Sequence, residues 1–148
     1  MKNNFAGEYE TYKAIEAEYD AADLAGDEAK KSLVRACFAS LRVALTEKGA
    51  EYFHTFELYR EARDCGNEYI DLHDAIWDNQ VAGLIENLRN MGIDHFTFSS
   101  TWSSAVETAW LFTENGCELE GLVRIKSHYK KFRSEEYETA PAYLFRIN

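Results

Sequence analysis

Three short segments of this chain alternate between apolar and polar residues, which is the pattern of β-strands with one buried and one exposed face. The segments are His95–Ser99, Leu119–Ile125 and Ala142–Ile147. Strands of a parallel sheet that is covered on both faces would instead be continuously apolar. We therefore predict an α+β fold, with a small mixed sheet of about three strands and helices on one face.

The N-terminal part of the chain has the spacing of amphipathic helices. Apolar and aromatic residues recur at steps of three and four from Phe5 to Tyr19, which predicts a helix that ends near Leu24. A second row of apolar residues at helical spacing continues on both sides of Gly49. This row predicts either one helix that is kinked at Gly49 or two consecutive helices. Gly66 is placed to end this row in the left-handed conformation. We expect a helical hairpin over residues 1–66 that packs on an α+β region, residues 67–148, within one compact domain.

Two more helices are predicted in the second half of the chain. Asp71 and Asp74 precede an apolar helical pattern that ends at Gly92, and acidic residues suit the positive end of a helix. The other helix begins at Ser104, which has the capping-box spacing to Glu107.

The last two predicted strands are separated by a charged segment. Residues 126–136 are expected to form a long hairpin loop. Pro141 is expected to open the final strand, where its missing N–H removes no ladder hydrogen bond.

Charge and cysteine content limit the classes of partner and the compartment. The formal net charge is -10, which disfavours binding to nucleic acid or to anionic membranes. The three cysteines have no spacing typical of a zinc site, and no stretch is apolar enough for a signal peptide or a membrane span. We expect a cytoplasmic protein with reduced thiols, no bound cofactor and no metal.

Four strings of sequence carry a resemblance to a known group of proteins. They are Ile76–Gln80, Phe96–Trp110, Glu120–Val123 and Pro141–Asn148. Together they resemble an uncharacterised family of small acidic bacterial proteins, similar to accessory proteins carried on mobile and conjugative elements of gut bacteria. The resemblance covers most of residues 67–148 and implies a bacterial setting, but it assigns no reaction and no catalytic residue.

The hydroxyl-rich loop between the first predicted strand and its following helix is the main candidate for ligand binding. Backbone N–H groups at a helix start attract anions, so that the loop has the chemistry for a phosphate or a carboxylate, with Trp102 stacking on a ring. The simpler interpretation is that the loop caps the helix and Trp102 packs on a neighbour. The candidate ligand-binding residues are Ser99, Ser100, Thr101, Trp102, Ser103, Ser104 and Glu107.

Other chemical groupings are weaker. His95 lies near Ser99 and Thr97 on the predicted strand, but the Gly-x-Ser-x-Gly elbow of a serine nucleophile is missing. Asp74 and Asp78 have the spacing to share a helix face and chelate a hard cation, with His73 nearby, yet no third oxygen ligand is spaced to complete the cage.

Charged residues supply candidates for contact with a partner. Residues 67–120 contain ten acidic residues and one basic residue, a net charge of -9, which is typical either of a solvated face or of a surface that mimics a phosphate array. In the basic segment that follows, cationic residues are interleaved with aromatic residues. We favour pairing of these cations with acidic groups over binding of nucleic acid. The interaction candidates are Asp71, Asp74, Asp78, Glu118, Glu120, Lys130, Lys131 and Arg133.

These observations favour a non-enzymatic protein-binding or regulatory module, which binds an unidentified protein or a second copy of itself. One alternative is an acidic inhibitor that mimics nucleic acid and blocks a defence enzyme. A second alternative is a small enzyme that binds an anion or a nucleotide at the loop Ser99–Ser104.

Overall fold

The computed structural model describes residues 4–73 and 76–148. The contacts within the chain divide it into two units, with the boundary between His54 and Thr55. None of the described helices combines the length and the apolar character needed to cross a lipid bilayer.

The first unit contains a pair of helices, α1 (Ala6–Leu24) and α2 (Glu28–Thr46). Asp27 begins α2 by accepting a hydrogen bond from the backbone N–H of Lys30 at 3.0 Å, as a helix N-cap residue does. Lys31 pairs with Asp23 across the turn at 2.7 Å. The predicted end of the first helix at Leu24 is confirmed.

A third helix, α3 (Ala50–Cys65), begins in the first unit and continues into the second. Gly49 has a φ of 142°, a backbone conformation that glycine adopts readily, and it separates α2 from α3. The two-helix alternative of the sequence prediction is therefore the observed one. Gly66 ends α3 with a φ of 78°, as predicted.

The segment after α3 departs from the predicted helix. Asp71 belongs to a two-residue strand, β1 (Ile70–Asp71), and the helix of this region, α4 (Val81–Asn90), begins ten residues later. The prediction that Asp71 and Asp74 open this helix is wrong for Asp71, and Asp74 lies outside the described residues. The physical reason is that the Asp71 carboxylate accepts hydrogen bonds from the hydroxyls of Thr97 and Ser99 on the neighbouring strand, so that it does not cap a helix.

Four strands form one mixed sheet in the described residues, in the order β1-β2-β4-β3. Strand β2 (His95–Phe98) is parallel to β1 and antiparallel to β4 (Tyr137–Ile147), which is in turn antiparallel to β3 (Cys117–Lys130). The α+β prediction is confirmed, and the additional strand is the short β1.

Strands β3 and β4 extend further than predicted. The segment 126–136 is not a long loop, because β3 continues to Lys130 and β4 begins at Tyr137. Pro141 does not open the last strand but lies within it, opposite Arg124. Strand β2 pairs with β4 only over Tyr143–Arg146, so that the edge of β4 that faces away from β3 has no partner strand at Pro141. A proline, which has no N–H to donate, is tolerated at such an unpaired edge.

Helix α5 (Ala105–Glu114) packs on the sheet through Phe112. The Phe112 ring lies 5.0 Å from Phe96 on β2 and 5.2 Å from Phe145 on β4, in edge-to-face arrangements that aromatic rings favour. These rings are almost fully buried, and they join α5 to the two central strands.

The start of α5 differs from the predicted capping box. Ser104 precedes the first helical residue, but its side chain makes no capping hydrogen bond. Its backbone is already turned toward the helical region, with φ -82° and ψ 3°, whereas a capping serine is extended. Its carbonyl oxygen accepts hydrogen bonds from the backbone and the hydroxyl of Thr108.

Candidate functional site

The predicted ligand loop, Ser99–Ser104, connects β2 to α5 in the second unit. Ser99 donates a hydrogen bond to Asp71, and the Ser100 hydroxyl accepts one from the backbone N–H of Trp102 at 3.2 Å. Thr101 and Ser103 are exposed. The first two hydroxyls therefore have partners within the protein.

A groove opens beside this loop, and two tryptophans in mutual contact form its wall. The rings of Trp77 and Trp102 lie 5.7 Å apart at an angle of 59°. Trp77 is 62% exposed and Trp102 is 45% exposed, so that both rings present much of their surface to solvent. The groove has a volume of about 700 Å³, and its lining residues are Ile76, Trp77, Asp78, Asn79, Gln80, Trp102, Ser104 and Thr108.

The local chain conformation holds the two tryptophans in place. Trp77 precedes a 3₁₀ turn, Asp78–Gln80, and its backbone N–H donates to the Gln80 side chain at 3.0 Å. Trp102 is held through its backbone N–H, which donates to the Ser100 hydroxyl. The loop thus contributes an aromatic wall to the groove, in addition to its hydroxyl groups.

Asp78 is among the residues that line this groove, and Glu107 directly precedes the lining residue Thr108. Asp78 is exposed within the groove and accepts a hydrogen bond from the Thr108 hydroxyl at 3.3 Å. Glu107 is exposed in the first turn of α5. Such surroundings favour a cationic ligand over a phosphate or a carboxylate.

The predicted interaction residues lie in different environments. Asp71 is largely buried, and burial raises its pKa above the ordinary value despite the hydrogen bonds from Ser99 and Thr97. Glu118 and Glu120 are near Arg146, which pairs with both carboxylates. His95, the proposed neighbour of Ser99, instead contacts Asp94 and Glu120 at 3.1 Å.

The basic candidates lie in the β3–β4 hairpin and pair within it. Lys130 lies 2.7 Å from Glu135, and Lys131 lies 3.1 Å from Glu136. Arg133 has a positive φ of 53° in the turn and lies over the Phe132 ring at 5.1 Å. The two lysines thus have acidic partners within the hairpin itself.

A second grouping of polar side chains lies elsewhere in the same unit. Glu61 on α3, His73 after β1 and His128 on β3 each contribute one potential ligand atom, and these atoms all lie within 4.8 Å of one another. His73 Nε2 is 2.7 Å from Glu61 Oε2, and the His73 and His128 rings are stacked with centroids 4.4 Å apart. All three residues are half-buried.

The electrostatics of this cluster favour an ionised Glu61. Burial opposes ionisation, but the hydrogen bond with His73 and the charges of His73 and His128 outweigh it and hold the pKa of Glu61 below its ordinary value. The neighbouring Cys65 behaves differently, because burial and the charge of Glu61 raise the pKa of its thiol. Cys65 is therefore a neutral thiol beside a charged carboxylate.

The sequence interpretation missed this cluster. The sequence interpretation places His73 only beside Asp74 and Asp78. Glu61, His73 and His128 are far apart in sequence and lie on three elements, so that no local spacing signals their proximity.

The sequence pattern of one protein family, described as a domain of unknown function (DUF7698), matches residues 54–147. The chain belongs to the DUF7698 family. The DUF7698 match begins one residue before the second unit of the structure, so that both the groove and the cluster lie within the family domain. No curated protein and no solved structure matches the chain.

Proposed function

We propose that this protein is a non-enzymatic binding module that takes a cationic segment of a partner protein into the groove between Trp77 and Trp102. The observation that carries the proposal is the pair of contacting, exposed tryptophans beside the Asp78 carboxylate. Arginine and lysine side chains are attracted to the face of an indole ring, and a nearby carboxylate adds a charge-assisted hydrogen bond.

Two further features support a cationic protein segment as the occupant. Residues 67–120 carry a net charge of -9, which attracts a positively charged partner and speeds its association. Tryptophan is also enriched among the residues that contribute most of the binding energy at protein interfaces. A phosphate or a nucleotide at Ser99–Ser104 is less well supported, because Asp78 lines the groove together with Trp102 and Ser104, and Glu107 lies in the first turn of the helix that follows the loop.

We place this binding module in the bacterial cytoplasm. The three free cysteines are consistent with a reducing compartment. The resemblance to accessory proteins of mobile elements favours a partner that is encoded by the element or by its host.

The test is a binding measurement with fluorescently labelled peptides of matched length that are arginine-rich, neutral or glutamate-rich. We expect the full-length protein to bind the arginine-rich peptide selectively, and Trp77→Ala and Trp102→Ala each to weaken binding by about tenfold or more. Asp78→Asn should weaken binding less than the tryptophan substitutions do. Added salt should also weaken the binding of the arginine-rich peptide.

Trp110 provides the matched control. It is 65% exposed and its indole N–H donates to Glu114, so that it is also an exposed tryptophan beside a carboxylate, but it is not part of the groove. Trp110→Ala should leave the affinity unchanged. Equal binding of the three peptide classes, or equal losses in all three tryptophan variants, would refute the proposal.

A further inference from the structure

The cluster of Glu61, His73 and His128 has the composition of a transition-metal site. Two imidazoles and one carboxylate form a ligand set that suits zinc and neighbouring divalent metals, and one open position then remains for water. Calcium and magnesium prefer all-oxygen surroundings, so that two histidines disfavour them.

The spacing of the three groups is close to what coordination requires. Ligand atoms about 2.1 Å from a tetrahedral zinc ion lie roughly 3.4 Å from one another. Here the ligand atoms lie within 4.8 Å of one another, and the shortest separation is the 2.7 Å between Glu61 and His73. Coordination of one ion would lengthen the Glu61–His73 separation and replace the direct hydrogen bond between these two side chains.

The enclosing cavity is the size of an ion rather than of an organic ligand. Its volume is about 10 Å³, which is close to the space needed for one water molecule. The Asp71 carboxylate and the Cys65 thiol also line it, together with Lys126. Glu61 and Asp71 together outweigh the single positive charge of Lys126, so that the lining favours a dication over an anion.

The three ligands are held by separate elements of the family domain. Glu61 lies on α3, His128 lies on β3, and His73 lies two residues after β1, whose Asp71 is hydrogen-bonded to β2. Asn67 further ties the end of α3 to β3 through two hydrogen bonds with the backbone of Lys126. A metal ion bound there would cross-link these elements and stabilise the folded state by mass action.

We propose that Glu61, His73 and His128 form a binding site for one divalent transition-metal ion, with zinc as the best-suited metal. The site is separate from the tryptophan groove and shares no residue with it. The proposal therefore does not depend on the binding of a partner protein.

The experiment uses the full-length chain after treatment with a chelator, titrated with zinc alone and followed by calorimetry. We expect one zinc ion per chain and a higher melting temperature in its presence. Titration with cobalt should produce the strong visible absorption of a tetrahedral complex, and excess magnesium should not displace zinc.

Variants of the ligands distinguish this site from adventitious binding. His73→Ala and His128→Ala should each lower the zinc affinity at least tenfold and remove the cobalt absorption. Glu61→Gln keeps the size of the side chain and should also weaken binding. His128→Ala leaves the Glu61–His73 contact intact, so that its loss of binding is not explained by disruption of that pair.

His95→Ala is the matched control. His95 contacts two carboxylates, Asp94 and Glu120, and is a histidine in acidic surroundings outside the cluster. Its removal should leave zinc binding unchanged. Zinc binding that is absent from the wild-type protein, that survives in His73→Ala and His128→Ala, or that is lost equally in His95→Ala would overturn the proposal.

Discussion

Asp71 is the residue whose surroundings differ most from the sequence expectation. Its carboxylate accepts hydrogen bonds from Thr97 and Ser99, and the Thr97 side chain is fully buried. We predict that Asp71→Ala lowers the free energy of unfolding by about 1–3 kcal/mol, because the two hydroxyl donors lose their acceptor away from water. Urea denaturation measures this loss.

Asp78→Ala is the comparison for this experiment. Asp78 also accepts a hydrogen bond from a threonine hydroxyl, but Asp78 is exposed, and the Thr108 hydroxyl has a second acceptor in the carbonyl oxygen of Ser104. Its removal should change stability by less than about 0.5 kcal/mol. An equal loss in both variants would contradict the structural role assigned to Asp71.

Cys117 is predicted to lower the stability of the protein as the pH becomes alkaline. Burial raises the pKa of its thiol from an ordinary value of 9.0 to about 11, with a smaller opposing effect of Arg89. Because the folded pKa exceeds the unfolded one, the neutral thiol contributes stability that is fully present below pH 9.0 and lost as the pH rises toward about 11.

The measurement compares wild-type protein with Cys117→Ala in urea at several pH values. The destabilisation caused by the substitution should be larger at neutral pH than above pH 10, as the wild type loses the contribution of its thiol. Cys37 is exposed, so Cys37→Ala is the control for removing a thiol at the surface. If the difference in stability between the wild type and Cys117→Ala were the same at every pH, the raised pKa of Cys117 would not contribute to stability.

The sequence reveals residue types but not their distant partners. Trp102 and the hydroxyls of Ser99–Ser104 were identified because they are consecutive and flank a helix start. Glu61, His73 and His128 were not grouped, because their proximity follows from where α3, β1 and β3 lie in the folded unit. Trp77 falls within the apolar helical pattern predicted before Gly92, whereas it precedes a 3₁₀ turn and is exposed.

At the scale of elements, the junction between α5 and β3 depends on Gly116. This residue has a φ of 84°, and an added Cβ would lie 3.1 Å from the Arg89 guanidinium. Arg89 also donates hydrogen bonds to the carbonyls of Asn115 and Asn148. We predict that Gly116→Ala destabilises the protein by about 1–3 kcal/mol, through backbone strain and displacement of Arg89.

Gly7 is the matched position for thermal or urea unfolding. It lies within α1, and an added Cβ there meets no atom within 4 Å. Gly7→Ala should therefore raise stability by up to about 1 kcal/mol. If Gly7→Ala and Gly116→Ala changed stability in the same direction, the positive φ of Gly116 would not be what determines the effect of the added Cβ.

Most elements were predictable because their signals are local. The predicted helix ends at Gly66 and Gly92 coincide with positive φ angles, and the strand at His95 has the expected alternation. The errors occurred where distant pairing determines structure. Strand β1 has only two residues and exists through its parallel contact with β2, while the charged ends of β3 and β4 remain extended because they pair with each other.

For the whole molecule, the exposure of its tryptophans predicts the fluorescence of the native state. The chain has three tryptophans, and Trp77, Trp102 and Trp110 are 62%, 45% and 65% exposed. We expect the native emission maximum to lie close to that of the protein in urea, and acrylamide to quench the native state efficiently. A strongly blue-shifted native spectrum would contradict these environments.

The sheet order has a consequence for synthesis on the ribosome. Strand β4 follows the other three strands in sequence but lies between β2 and β3. Nascent chains that carry only β1, β2 and β3 therefore have no partner for the inner edges of β2 and β3. Until β4 emerges, these edges and the phenylalanines beside them are available to chaperones, so that closure of the sheet must be a late step in the maturation of the nascent chain.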